Sequence, residues 1–286
     1  ELAPENVGAW TNLGVALQQQ DRIAEAKTAY EKAMALNPEL AAISNNLGAM
    51  AKEAEDWESA LTYFERALEI EPSFAQAHNN LGVTLEELGS LEEAAASYRQ
   101  AITLSSDYVE ACSNLGRALL NSDRFEEAEA SLRQAIALKP DFSQDHFNLG
   151  NTLQKLGRLD EAEASFKHAI AMTPDYAQAH NNLGVTLQEL NRLDEAEISF
   201  RQAIAVAPDS ATYHNNLGST LRELGRLDEA ETSYQQAIAL TPDYAEAHTN
   251  LGHALQELDR LDDAEASYRQ AIALKPDYAK AHNNLG

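Results

Sequence analysis

Residues 177–210, AQAHNNLGVTLQELNRLDEAEISFRQAIAVAPDS, carry two rows of apolar side chains at helical spacing. The first row covers 179–190 and ends at the polar pair Asn191-Arg192. The second covers 193–206, and Pro208 ends it because proline cannot continue a helix. Neither helix can bury its apolar row alone, so the hairpin must stack on other hairpins.

The dipeptide Leu-Gly recurs every 34 residues along the whole chain, which indicates a stacked repeat array. Residues 1–6 match the tail of a preceding repeat, and 279–286 match the start of a truncated ninth. We therefore expect both ends to come from a longer array. The eight repeats between them are 7–40, 41–74, 75–108, 109–142, 143–176, 177–210, 211–244 and 245–278.

Composition and charge exclude several classes of function. The net charge of −25 repels phosphate groups, so neither nucleic acid nor an anionic membrane surface is an expected partner. Cys112 is the single cysteine, which rules out an intrachain disulfide framework. We expect a cytoplasmic protein, although the chain begins with Glu1 and not with Met.

Every repeat has Leu-Gly in its first helix, and most have Ala and then an aromatic residue in the second and Pro near the end. In 177–210 these are Leu183, Gly184, Ala196, Phe200 and Pro208. The pattern resembles the tetratricopeptide repeat over the entire chain. The resemblance implies an all-α, right-handed α-solenoid of tandem 34-residue helix-turn-helix repeats, whose first helices line a concave groove and which binds other proteins.

No motif for catalysis or for a cofactor occurs in the sequence, so we predict a non-catalytic scaffold without cofactors. Acidic residues cluster at predicted helix starts, as in Asp194 and Glu197 or Asp228 and Glu231. Their spacing favours capping boxes with Asp as the cap, and Asp175 is placed to cap the next first helix. An acidic surface for a basic partner is the alternative.

Histidine recurs at one position of the first helix, at His78, His146, His180, His214, His248 and His282. Equivalent positions on packed helices lie ~8–10 Å apart, which is too far for shared coordination of a metal. Trp10, Ser44 and Cys112 occupy the same position in other repeats, so we predict a packing role and no metal site.

Asparagine precedes Leu-Gly in every repeat. Its amide can donate and accept at once, so this row predicts either a ladder that binds the backbone of an extended peptide or a tether between repeats. One side chain can also do both. The row consists of Asn12, Asn46, Asn80, Asn114, Asn148, Asn182, Asn216 and Asn250, with Asn284 in the incomplete repeat.

The fourth and fifth repeats depart from the common pattern. Six side chains there are candidates for a pocket that reads a ligand side chain; ordinary drift between repeats is the alternative. They are Arg117, Leu120, Asn121, Phe147, Asn151 and Lys155.

The uninterrupted asparagine ladder also resembles the repeat arm of O-linked N-acetylglucosamine transferases. That resemblance implies, as an alternative, a substrate-recruiting arm of a larger glycosyltransferase whose catalytic part lies outside this chain. A third hypothesis is a self-associating array, joined end to end or through its convex face, because the terminal repeats lack capping helices.

Overall fold

The computed structural model describes residues 6–276, and secondary structure within them is entirely helical. The first helices of the hairpins, called A helices here, are α1 Val7–Gln18, α3 Ala41–Glu53, α5 Ala75–Glu87, α7 Val109–Asn121, α9 Ser143–Lys155, α11 Ala177–Glu189, α13 Ala211–Glu223 and α15 Ala245–Glu257. The second helices, or B helices, are α2 Ile23–Leu36, α4 Trp57–Ile70, α6 Leu91–Leu104, α8 Phe125–Leu138, α10 Leu159–Met172, α12 Leu193–Val206, α14 Leu227–Leu240 and α16 Leu261–Leu274.

The predicted fold class, an all-α helical repeat array of the α-solenoid type, is confirmed. The chain divides into two compact units, Glu1–Pro140 with α1–α8 and Asp141–Gly286 with α9–α16. Within each unit, each A helix packs against the B helix that follows it, and that B helix packs against the next A helix of the same unit.

A glycine in the A helix and an aromatic ring in the B helix hold each hairpin together. A Cβ atom on Gly184 would lie 2.7 Å from a ring carbon of Phe200, closer than non-bonded carbons approach. The ring is fully buried against this glycine. The other pairs are Gly14–Tyr30, Gly48–Phe64, Gly82–Tyr98, Gly150–Phe166, Gly218–Tyr234 and Gly252–Tyr268, with Leu132 in place of the ring at Gly116.

The turn inside a hairpin depends on one residue in the left-handed conformation. In the hairpin of α11 and α12, Asn191 has φ 58°, and the Arg192 N–H donates to the carbonyl of Leu187 over 2.8 Å. This hydrogen bond closes the C-terminus of α11 in the Schellman manner. The corresponding residues are Asp21, Glu55, Gly89, Asp123, Gly157, Gly225 and Asp259.

Alanine allows consecutive hairpins to stack. In the first unit, Ala41, Ala67 and Ala77 come from α3, α4 and α5 and form one buried cluster. In the second unit, Ala211 and Ala237 form the same kind of cluster with Ala247. A side chain of one carbon lets three helices meet without a void.

Ion pairs join successive B helices in the second unit. Arg226, just before α14, contacts Glu197 of α12 at 2.7 Å and Glu229 of its own helix at 2.6 Å. The hydrogen bond to Glu229 and then the one to Glu197 raise the pKa of the Arg226 guanidinium. Arg192–Glu163 and Arg260–Glu231 repeat the link at 2.6 and 2.7 Å. Many of the chain's carboxylates are therefore neutralised locally.

The aspartate caps predicted at Asp175, Asp194 and Asp228 are wrong, although Asp56 does cap α4 by accepting from the Ser59 N–H. The N-cap of α12 is Arg192, which makes no side-chain cap hydrogen bond, and Asp194 lies within the first turn. The left-handed residue Asn191 turns the chain so sharply that the helix begins at Leu193, two residues earlier than the capping-box spacing requires. Tyr176 and not Asp175 precedes α11 as its N-cap. The acidic first turns still meet the positive end of each helix dipole.

Several predictions concern residues outside the described part of the chain. They include most of the partial repeat 1–6, the ninth repeat 279–286, His282 and Asn284. No helix within residues 6–276 combines the length and the apolar character needed to cross a bilayer.

Gly184→Ala should lower the free energy of unfolding by about 1–3 kcal/mol, because the added methyl group overlaps the Phe200 ring. Urea unfolding followed by circular dichroism measures this change. Gly8→Ala is the matched control, because a Cβ there would meet only Asn6 Oδ1 at 3.4 Å. Equal effects of the two substitutions would show that the glycine–aromatic contact does not limit the hairpin.

Glu55→Gly should raise the free energy of unfolding, by up to about 1 kcal/mol, because glycine adopts a positive φ without the steric cost that Glu55 bears at φ 56°. Gly89→Glu, at φ 80° with open space around it, should have the opposite sign. The same urea experiment measures both. A loss of stability in Glu55→Gly would contradict this account of the turn.

Candidate functional site

The asparagine row lies midway along the A helices. Asn12 is exposed, Asn80 and Asn148 are buried, and the remaining five members are half-buried. Three or four residues further along each helix, on the same face, lie the side chains equivalent to Val185, which is half-buried. The asparagine row and these side chains together are called the A-helix face here. Besides amides, this surface presents mostly small side chains, at Val15, Ala49, Val83, Val185 and Ser219.

Amide groups join neighbouring A helices. In the first unit, Asn80 Nδ2 donates to Asn45 Oδ1 and Asn114 Nδ2 donates to Asn79 Oδ1, both over 3.1 Å. In the second unit, Asn216 donates to Asn181 and Asn250 donates to Asn215, both over 3.0 Å. At these four positions the asparagine row ties one repeat to the one before it.

Sequence analysis missed the residues that accept these bonds. Asn45, Asn79, Asn181 and Asn215, called the acceptor row here, each precede a member of the asparagine row and are buried. The doublets Asn45-Asn46, Asn79-Asn80, Asn181-Asn182 and Asn215-Asn216 were the available signal. A buried amide needs a hydrogen-bond partner, so the doublet could have indicated the link.

The pattern changes at α9, where Phe147 occupies the acceptor position. Asn182 of the next A helix donates to Asn151 Oδ1 over 2.7 Å instead. Asn182 Oδ1 accepts from Asn181 Nδ2 over 3.0 Å. Three amide–amide bonds consequently run without a gap from Asn216 to Asn151.

The six predicted pocket residues belong to different units and have different surroundings. In the first unit, Arg117 pairs with Glu86, Leu120 packs against a buried cluster, and Asn121 is exposed at the end of α7. In the second unit, Phe147 packs among aromatic rings, Asn151 accepts from Asn182, and Lys155 is exposed at the end of α9. A pocket formed by all six stays a prediction.

A second set of links lies at the C-terminal ends of the A helices. In the second unit, Gln188 Nε2 donates to Glu223 Oε1 over 2.6 Å, and Arg222 lies 3.9 Å from Glu257. In the first, Gln18 Nε2 donates to Glu53 over 3.0 Å. These side chains are the charged margin of the A-helix face.

Tyrosines of the B helices reach the same margin. The Tyr98 hydroxyl donates to Glu86 Oε2 over 3.1 Å, while its ring covers Gly82. Burial, together with the charge of Glu86, raises the pKa of Tyr98. The tyrosine hydroxyl therefore stays protonated and remains a donor at neutral pH.

In four repeats the recurrent histidine forms a hydrogen bond with a backbone carbonyl. His180 Nε2 donates to the carbonyl of Pro174 over 2.9 Å, and His214 donates to that of Pro208 over 3.0 Å. His78 and His248 make the same bond. Trp10, at this position in α1, has the Lys32 ammonium 4.4 Å from its ring centre. Within residues 6–276, no three His, Cys, Asp or Glu side chains converge on a metal-sized site.

Family models match nearly the whole chain. Two models described as tetratricopeptide repeats match residues 7–73 and 51–109. The model of the cilia and flagella-associated protein 70 C-terminal domain matches residues 87–284. The chain belongs to the tetratricopeptide repeat family. No curated protein matches it.

Solved structures share this fold. The structure of the APC/C hetero-tetramer Cut9-Hcn1 aligns with TM-score 0.64 and 17% identity over 92% of this chain, which spans about half (52%) of that chain. MamA aligns with TM-score 0.54 and 24% identity over 56% of this chain and 94% of its own. The pilF protein of Pseudomonas aeruginosa aligns with TM-score 0.63 and 17% identity over 73% and 95%. Identities this low establish the tetratricopeptide fold alone.

Tetratricopeptide repeats generally mediate protein–protein interactions, and arrays of them are typically non-catalytic. In the described residues, many polar side chains form links between successive repeats. The ligand that the chain binds must therefore be inferred from the surfaces that remain accessible beside these links.

Asn250→Ala should lower the free energy of unfolding by about 1–3 kcal/mol, because it leaves the buried Asn215 carbonyl oxygen without its donor. Asn12→Ala, at an exposed member of the same row, is the control and should change stability by less than about 0.5 kcal/mol. Urea unfolding compares the two. Equal, small losses would show that the amide links contribute little to stacking.

Proposed function

We propose that this chain is a non-catalytic protein-interaction scaffold whose A-helix face binds extended peptide segments. The asparagine row contacts the peptide backbone, so that recognition depends on main-chain hydrogen bonds more than on ligand side chains. The proposed contacts are Asn12, Asn46, Asn80, Asn114, Asn148, Asn182, Asn216 and Asn250.

The observation that carries this proposal is the unused capacity of Asn216 and Asn250. Each uses one amide N–H to reach the preceding repeat, and within residues 6–276 its Oδ1 accepts no hydrogen bond. Both residues are half-buried, so part of their surface is open to a ligand. An extended peptide offers an N–H and a C=O that match this pair. Tethering and binding are therefore compatible in one amide.

The spacing of the repeats fits an extended ligand. Packed helices lie ~8–10 Å apart, and an extended chain advances ~3.3 Å per residue. Successive asparagines would therefore meet about every third residue of the ligand. An array of such contacts gives affinity by repetition, although each hydrogen bond contributes little on its own.

The charges at the margin of the A-helix face restrict the ligand. Glu189, Glu223 and Glu257 are exposed at the ends of α11, α13 and α15. Their negative potential repels polyanions such as nucleic acids. It therefore favours a protein ligand that carries no excess of negative charge.

This proposal is tested by panning a phage-displayed library of random peptides on the protein. Peptides of about 12 residues suit the test, because they provide about three residues for each of four repeats. Val185→Arg places a bulky charge on the A-helix face without removing a tether, and it should reduce recovery of bound phage at least about tenfold, equivalent to about 1.4 kcal/mol. Ile198→Arg is the matched control, because this B-helix side chain is 61% exposed. It should leave recovery unchanged.

A selected peptide then tests backbone recognition. N-methylation of single peptide bonds should weaken binding with a period of about three residues, while alanine substitution at most positions should not. Loss of binding in Ile198→Arg alone would place the ligand on the B helices. Failure of the parent chain to enrich any peptide would contradict peptide binding by these units.

A further inference from the structure

At one position of the second unit, a polar side chain is replaced by an apolar one. The acceptor position of its four A helices is occupied by Phe147, Asn181, Asn215 and Thr249. The last three are buried polar side chains, whereas Phe147 is apolar and only half-buried. In α9 an aromatic residue thus directly precedes Asn148, a member of the row that we propose to bind peptide backbone.

The Phe147 ring belongs to a small aromatic group. Its centre lies 4.8 Å from that of Tyr176, at an interplanar angle of 36°, and 5.9 Å from that of Phe166, at 55°. The Tyr176 hydroxyl donates to Gln144 Oε1 over 2.8 Å, which fixes the position of that ring. Phe166 is fully buried, while Phe147 and Tyr176 keep part of their surface accessible.

The amide network accommodates this phenylalanine without a broken link. Asn182, which meets no acceptor at residue 147, donates to Asn151 over 2.7 Å. Asn151 replaces the valine, alanine or serine found at most equivalent positions. The second departure thus compensates for the first, and the repeats stay tied while an apolar surface is presented.

We propose that Phe147 and Tyr176 form an anchor for an aromatic or large aliphatic side chain of the bound peptide, and that this anchor sets the register of the peptide on the asparagine row. The inference rests on the proposed function. Backbone contacts that repeat every third residue allow a ligand to slide, whereas one side-chain contact does not. Aromatic side chains gain most from such a site, because stacking on a partly exposed ring buries a large area at a small entropic cost.

The spacing of the helices also predicts the position of the anchored residue in the ligand sequence. Because α9 and α11 are neighbours at ~8–10 Å, the anchored residue should lie about three residues from the one that contacts Asn182. The ligand is therefore an extended segment with one aromatic or large aliphatic residue at the point where it crosses α9.

Phe147→Asn tests the anchor, because it restores the residue found at this position in α11 and α13 and gives Asn182 its usual acceptor. Peptides selected by the parent chain should carry an aromatic residue at one fixed position. Those selected by Phe147→Asn should not, and those selected by Phe147→Leu, which keeps an apolar side chain, should retain a large apolar residue there. Fluorescence anisotropy of a selected peptide then gives a double-mutant cycle. Changing its aromatic residue to Ala should weaken binding about tenfold in the parent and less than about twofold in Phe147→Asn.

The outcomes separate the two proposals. If both chains select peptides with the same aromatic position, the anchor is wrong and peptide binding stands. If the parent selects no peptide, both proposals fall. If Phe147→Asn does not fold, the anchor can be tested in the parent chain by recording the ¹³C NMR resonances of the Phe147 and Tyr176 rings. These resonances should shift when the selected peptide is added, and unchanged resonances would overturn the anchor.

Discussion

The contact between an A-helix glycine and a B-helix ring is the constraint on which the rest of the structure depends. Because Gly184 has no Cβ, the Phe200 ring lies directly on the backbone of α11, and the two helices meet at the shortest distance that a side chain allows. Repeated in hairpin after hairpin, this contact gives units of one geometry. Units of one geometry bring the asparagine row of one repeat within hydrogen-bonding distance of the acceptor row of the preceding repeat.

Two kinds of link follow from that regularity, one on each set of helices. Asparagines join A helix to A helix, as in Asn250 to Asn215, and arginines join B helix to B helix, as in Arg226 to Glu197. In this protein of net charge −25, several B-helix carboxylates, among them Glu163, Glu197 and Glu231, are paired locally with arginines. The A-helix face carries amides, and an amide can pair with a neutral peptide backbone without the desolvation cost of a charged group, which supports the proposed ligand.

The sequence was sufficient to predict the helices. It was not sufficient to predict the caps at the helix ends or the hydrogen bonds that link one repeat to the next. The apolar period and the recurring Leu-Gly predicted both helices of each hairpin, because those signals depend on burial. The aspartate caps failed because Asn191 adopts a left-handed conformation, which residue spacing does not reveal. The asparagine row was recognised, but its acceptors were missed, since hydrogen-bond direction depends on side-chain geometry. The hydrogen bond from Asn182 to Asn151 had no sequence signal apart from the joint occurrence of Phe147 and Asn151 in one repeat.

Identical repeats bind strongly and discriminate poorly, because a ligand held by equal contacts can shift by one repeat without loss. Specificity therefore has to come from a repeat that differs. Random drift at a buried amide position would leave a neighbouring amide without a partner, at a cost of about 1–3 kcal/mol. At α9 no such loss occurs, because Asn151 receives the bond that Phe147 cannot accept. A departure that keeps the Asn182 link and adds a partly accessible aromatic surface supports the proposed anchor over random drift.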